Sequence, residues 1–419
     1  MKKNGLGLII VSVLLLCAMA VNLTGCGTET HAKDLMEGIT PRQVAVLDDL
    51  MDKNAVATDF AVRLFKTSAE DDKNTLISPL SVMYALAMTA NGAEEQTLAQ
   101  MEAVLGMSIE ELNIYLYSYM QALSQGEKYK LSLANSIWFT EDELFTPNQE
   151  FLQINADYYG ADIYKAPFDS KTCRDINNWV KDNTDGMIPK ILDRISRDAV
   201  MYLINAVAFD AEWKDTYEKS QVKKGEFTKE DGSKETVEFM YGTESCYFED
   251  EYATGFMKYY LGYKYAFVAM LPKEGVSVSE YIASLDGQSL GDMLLSPKYA
   301  TVETAIPKFE TEYDVDMSGI LREMGMTDAF DVYAANFNSI GAYTENNIYI
   351  GRVLHKTYIS VNEKGTRAGA ATIVEMDCGS TMPPEDIKEV YLDRPFVYML
   401  IDCENNVPFF IGTMMDVNK

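Results

Sequence analysis

Val361-Asn362-Glu363-Lys364-Gly365-Thr366-Arg367-Ala368-Gly369-Ala370-Ala371-Thr372 begins the stretch on which the reading of this chain turns. β-branched and aromatic residues predict strands at 357–361 and 396–401, and residues 363–394 lie between them. A connection that long is uncommon in a compact domain and is either functional or disordered. Its first part is almost entirely small. Ile373-Val374-Glu375-Met376-Asp377-Cys378-Gly379-Ser380-Thr381-Met382 and Pro383-Pro384 follow. Exposed runs of small and polar residues are where proteases cut. One reading is a disordered insertion. The other is a segment able to enter a sheet, because Ile373-Val374 and the alanines suit a strand and small side chains can pass where large ones cannot.

Working outward, further strands are predicted at 200–209, 265–271, 301–309 and 408–413, with 266–271 apolar on both faces as a central strand would be. The first third has helical period. Val56, Phe60, Ala61, Leu64 and Phe65 share one face, and Ser78-Pro79 opens a helix over 80–90 with Ser as its cap. Ser108 with Glu111 has the form of a capping box, and a helix is expected over 174–185 with Ile176, Trp179 and Val180 inward. Helices first and strands later indicate an α+β domain.

The chain has 419 residues, 47% of them apolar, so it can bury a sizeable core. Asp plus Glu number 64 against 36 Lys plus Arg, a net charge of −28. That balance argues against nucleic acid as a partner, since phosphate contacts need a basic surface. Lys2-Lys3, the apolar run 6–21 and Leu23-Thr24-Gly25-Cys26 have the form of a secretory signal, and the run is short for a membrane span. The tetrapeptide resembles a bacterial lipobox. Residues 1–25 are therefore expected to be a lipoprotein signal, Cys26 the lipidated residue and 26–50 a polar tether; plain secretion and a retained anchor are the alternatives. Residues 51–419 would form one domain. Cys173, Cys246, Cys378 and Cys403 make no scaffold and show no C-x-x-C spacing, and the sequence does not pair them.

Catalytic patterns are missing. The mature region has no H-E-x-x-H, G-x-S-x-G, Walker A or G-x-G-x-x-G, and only two histidines, His31 and His355, are present. His355 enters a strand, where a buried structural role is the ordinary reading. The chain is expected not to be an enzyme and to need no metal or cofactor.

Several blocks together resemble the serpin family of serine protease inhibitors. Val361 to Thr372 looks like an inhibitory hinge. Ile77-Ser78-Pro79-Leu80-Ser81, Asn205-Ala206 with Phe209 and Trp213, Ile306-Pro307-Lys308-Phe309, Arg394-Pro395-Phe396 and Phe409-Phe410-Ile411-Gly412 resemble other family blocks, in family order. The resemblance implies a serpin fold: three β-sheets, eight or nine helices and an exposed reactive-centre loop at about 363–394.

The function implied is irreversible suicide-substrate inhibition of serine endopeptidases, by acyl-enzyme trapping and insertion of the cleaved loop into the main sheet. The alternative is a non-inhibitory serpin-fold binding protein that is merely cut. The hinge would comprise Glu363, Gly365, Thr366, Arg367, Ala368, Gly369, Ala370, Ala371 and Thr372, with Thr366, Ala368 and Ala370 turning inward. Arg367 departs from the family's usual acidic residue, and Gly369 is a milder departure. Ser78, Ser81, Asn205 and His355 match the shutter beneath the main sheet. Family spacing places the reactive bond at Gly379-Ser380, and alignment on Pro383-Pro384 moves it to Ser380-Thr381, with Cys378 also adjacent. Small residues there suit elastase-like or subtilisin-like proteases. Covalent complexes with serine proteases, a monomer and a lipid-anchored location on the outer face of the cell membrane, or release from it, complete the expectation.

Overall fold

The computed structural model describes residues 31–123, 126, 128–141, 145–196, 199–343, 347–366 and 387–418. Among them are three sheets and nine α-helices, an α+β arrangement. Four helices, Met51–Ser68, Pro79–Ala90, Glu95–Leu105 and Ile109–Ala122, occupy the predicted helical third. The capping box of Ser108 and Glu111 is present. Ser78 does stand before Pro79, but its hydroxyl caps nothing, because its backbone N–H is drawn into the interior instead. Every residue of Pro79–Ala90 is buried, so this helix runs through the core rather than along its surface.

The main sheet runs in the order Lys33–Asp34, Asp162–Ala166, Tyr129–Thr140, Met201–Glu212, Gly365–Thr366, Arg352–Asn362, Phe309–Asp316. Met201–Glu212 is buried almost throughout, as a strand covered on both faces must be. Leu203, Val207 and Phe209 face one core; Tyr202, Ile204 and Ala206 face a second, smaller one beneath the helix Ser170–Asn183. A nine-stranded sheet packs behind, from the edge strand Lys388–Tyr391 to Thr75–Ile77, and a short pair joins Phe145–Pro147 to Gly341–Tyr343.

Three expectations change. Residues 31–50 do not form a free tether. Lys33–Asp34 adds an edge strand to Asp162–Ala166, the His31 amide donates to Asp175, and Arg42 pairs with Asp157 at 2.7 Å. Leu35, Met36, Ile39 and Leu47 pack against the core as well, but they are too few and too irregularly spaced to announce an element. The stretch 363–394 is also not wholly loop: Gly365–Thr366 joins the main sheet, and Lys388–Tyr391 pairs in parallel with Lys298–Pro307. Finally, Tyr129–Thr140 is a long strand that sequence patterning passed over, because serines, an asparagine and a lysine interrupt its apolar residues.

Candidate functional site

Two stations lie along the seam between Met201–Glu212 and Arg352–Asn362. These strands pair in parallel from Arg352↔Tyr202 to Thr357↔Val207 and part above that point. Ala208 to Asp210 on one strand and Tyr358 to Ser360 on the other flank a slot. At its top the chain turns at Glu363-Lys364 and comes back as Gly365–Thr366, antiparallel to both neighbours through Thr366↔Ala211 and Val361↔Thr366.

The top station is closed by aromatic packing. Thr366 is fully buried, and its hydroxyl lies 2.5 Å from that of Tyr260. Tyr260 stacks on Trp213 with centroids 4.4 Å apart. The Trp213 indole N–H donates to the Asn362 carbonyl and its amide to that of Lys364, both at 2.8 Å; the Tyr217 amide donates to the Glu363 carbonyl at 2.9 Å. Glu363 pairs with Lys308 at 3.0 Å, and its own backbone amide together with this lysine holds its carboxyl below the usual range. Gly365 has a reason to be glycine: a Cβ there would lie 2.0 Å from the Ala211 carbonyl oxygen.

The lower station sits at mid-sheet. Asn135, Asn205 and His355 are cross-strand partners in a single row, on the face that meets the helix Pro79–Ala90. The Ser78 amide donates to His355 Nε2 at 3.0 Å. That fixes a neutral imidazole with its proton on Nδ1, donated to Asn205 Oδ1. Asn205 Nδ2 donates to Asn135 Oδ1 at 2.8 Å, and the Ser81 hydroxyl donates to the same oxygen at 3.2 Å. His355 is completely buried, and desolvation pushes its pKa down to about 3. The Ser78 hydroxyl is buried without a partner among the described residues.

The structure thus brings Ser78, Ser81, Asn205 and His355 into one network and adds Asn135, which sequence reading missed. The missing signal was the strand: once Tyr129–Thr140 is placed, register alone sets Asn135 beside Asn205. Glu363, Gly365 and Thr366 gather at the other station. Arg367, Ala368, Gly369, Ala370, Ala371 and Thr372, and the reactive-bond candidates Cys378, Gly379, Ser380 and Thr381, lie outside the described residues, as does Cys26. Among the described residues, Cys173, Cys246 and Cys403 form no disulfide. No cluster of metal-ligating side chains occurs among the described residues.

Chemically, the one histidine of these stations is buried, with both ring nitrogens engaged in hydrogen bonds. Together the stations are two fastenings on one seam, an aromatic clamp at its top and a polar network at mid-sheet.

Comparison with known proteins gives the following. The family described as "Serpin (serine protease inhibitor)" matches residues 55–417. An uncharacterized serpin-like protein of Thermococcus kodakarensis is 28% identical, covering 97% of this chain and 98% of the relative. Among solved structures, the thermophilic serpin tengpin in its native state superposes with a TM-score of 0.88 at 50% identity, covering 92% of this chain and 99% of that one. Tengpin in its latent state gives 0.78 at 49% identity, covering 90% and 100%.

Proposed function

The chain belongs to the serpin family, and from that premise we propose that it is an inhibitory member: a suicide substrate that traps serine endopeptidases. The observation carrying this reading is the state of the main sheet. Its central strands pair directly with each other below, part above, and among the described residues hold Gly365–Thr366 between them at the top. The greater likeness to native than to latent tengpin supports the same state.

The existing register defines how the rest would follow. Continued downward from Thr366↔Ala211, it sets Arg367 opposite Asp210, Ala368 opposite Phe209 and Gly369 opposite Ala208. These three positions fill the slot without breaking any pairing. Ala370 is the first residue that must displace the Val207↔Thr357 pair. Thr366, Ala368 and Ala370 share the face of Phe209 and Val207, where only small side chains fit. Arg367 takes the other face beside Asp210, a favourable cross-strand charge pair, which accounts for a basic residue where the family has an acidic one. Two steps on from Ala370, Thr372 falls between Asn205 and His355 and takes their bond apart.

The reaction begins at the loop. The protease serine oxygen attacks the carbonyl carbon at the reactive bond, Gly379-Ser380 or its neighbour. An acyl ester forms, the peptide C–N bond breaks, and the new amine leaves with a proton from the protease histidine. The freed hinge then zips downward. About fifteen residues at ~3.3 Å each carry the esterified protease roughly 50 Å before water can release it. No Arg or Lys lies between Arg367 and Lys388, so elastase-like or subtilisin-like enzymes are the expected targets. We also propose export as a monomer, with lipidation at Cys26 and attachment to the outer face of the membrane; Cys26→Ser should then release the protein from the membrane fraction.

The deciding experiment incubates the protein with elastase and subtilisin and resolves the products on a denaturing gel. A protease-sized increase in mass that survives SDS is expected. Cleavage without such a species would leave the chain a serpin-fold substrate and overturn the inhibitory reading.

A further inference from the structure

Lys258 is charged where its surroundings are apolar. It lies in the strand Ala253–Tyr259 and is 3% exposed. Burying a lysine is costly unless its charge is met on every side. Here the ammonium donates to Glu244 Oε1 at 2.8 Å and to the Asp215 carbonyl at 3.1 Å. It also lies 4.5 Å from the centroid of the Tyr217 ring and 5.4 Å from that of Trp213. Glu244 is nearly as enclosed as its partner.

Three of these four contacts belong to one turn, residues 213–217. The same turn holds the hinge root: Trp213 and Tyr217 supply the three hydrogen bonds to the carbonyls of Asn362, Glu363 and Lys364. The turn therefore touches both Lys258 and the hinge. A methyl-rich side chain of similar length would fill the volume, but it would neither attract two ring faces nor bond the Asp215 carbonyl.

We propose that Lys258, paired with Glu244, is a positioning residue for loop insertion: its ammonium pins the turn 213–217 and thereby holds Asn362 to Thr366 in register at the top of the slot. This rests on the inhibitory reading only for its consequence in trapping, not for the clamp itself. The clamp keeps the hinge seated in the intact molecule and sets the starting register once the loop is cut.

Hydrogen exchange on the intact protein tests it. The double substitution Lys258→Met, Glu244→Gln removes the pair without leaving one buried charge. Exchange of the amides in 213–217 and 360–366 should accelerate at least tenfold, with the strand Phe396–Asp402 unchanged. Unchanged exchange at the turn and hinge would overturn the proposal. Should the double variant fail to fold, Tyr217→Leu removes one ring face alone, and the same two outcomes decide.

A pH profile separates positioning from simple packing. Burial holds the Glu244 carboxyl above its usual range, opposed by Lys258. The titratable groups around it are Lys258 and Tyr259 on the adjacent strand, Lys214, Asp215 and Tyr217 on the turn, Tyr263 beyond them, and Tyr299 on the strand Lys298–Pro307 at its other side. Acidification neutralises Glu244, so protection at Trp213 and Tyr217, corrected for intrinsic rates, should fall in the parent protein and stay flat in Glu244→Gln. Equal profiles would overturn the proposal.

With protease present, the double variant should be cleaved at the parent's rate but trap a smaller fraction. If the parent traps nothing, the inhibitory reading fails while the exchange measurements still judge the clamp.

Discussion

His355 is the residue in which structure and solution behaviour meet most directly. Its pKa of about 3 lies well below the ordinary value of 6.5. Between those two values the unfolded chain binds a proton that the folded chain refuses. The unfolded state therefore holds more protons, and stability falls as pH drops through this window, by up to ~1.4 kcal/mol per unit. Denaturant midpoints at pH 7.5, 6 and 5 should show the parent losing stability faster than His355→Gln; parallel losses would refute the neutral buried imidazole. The neighbouring residues make a contrast. Ser78→Ala removes a hydroxyl that has no partner and should change stability by no more than about 0.5 kcal/mol. Asn135→Ala strands the Asn205 amide and the Ser81 hydroxyl, at about 1–3 kcal/mol. Equal effects of the two substitutions would contradict the network as drawn. At this scale the sequence was partly legible. Ser78, Ser81, Asn205 and His355 could be grouped by family resemblance, but how they bond could not be read, because the donor is the Ser78 amide rather than its side chain and the link is Asn135.

Elements were legible where local chemistry decides them. The capping box at Ser108, the Pro79 helix start and the apolar strand Tyr265–Pro272 need only neighbouring residues. Tyr129–Thr140 and Lys33–Asp34 were not legible. The first owes its place to burial against distant strands, the second to backbone pairing with Asp162–Ala166. The hinge lies between these cases: its small residues suggested a sheet-entering segment as one of two readings, and the described part, Gly365–Thr366, has a seat that depends on Tyr260, Trp213 and the Ala211 backbone. Thr366→Arg tests that seat. Thr366 is fully buried against the Tyr260 hydroxyl, and a guanidinium in that place would be a buried charge too costly to hold unpaired. The side chain must leave the slot and take Gly365 with it. The variant should still be cleaved by the target protease yet form no SDS-stable complex. Trapping at the parent's efficiency would show that insertion does not start at this position.

For the whole molecule the claim is that the intact fold leaves its main sheet short of one strand. In the existing register, residues 366–375 would lie opposite Ala211 to Tyr202, meeting Met201–Glu212 on one side and Arg352–Asn362 on the other. Insertion gives up the parallel pairing between Tyr202 and Val207 and their partners, and replaces it with two antiparallel ladders over a longer span. Parallel pairing is slightly the weaker per residue, and the residues that enter first on the Phe209 face, Thr366, Ala368 and Ala370, are small, so the start of insertion meets no steric barrier. Cleaved protein should therefore melt well above intact protein, by about 15 °C or more, which in a domain of this size takes roughly 12 kcal/mol. Thr372 makes the prediction specific. In the inserted state it parts Asn205 from His355, and its hydroxyl is the group placed to satisfy both. Thr372→Val should leave the intact protein's melting temperature unchanged and lower that of the cleaved form, by the ~1–3 kcal/mol of a buried donor and acceptor left unmet. Calorimetry of four samples, intact and cleaved, with threonine and with valine, reads both effects at once. Coincident melting of the intact and cleaved parent would mean that cutting the loop releases no strand into the sheet. A valine effect confined to the intact form would instead mean that the inserted register differs from the one begun by Thr366.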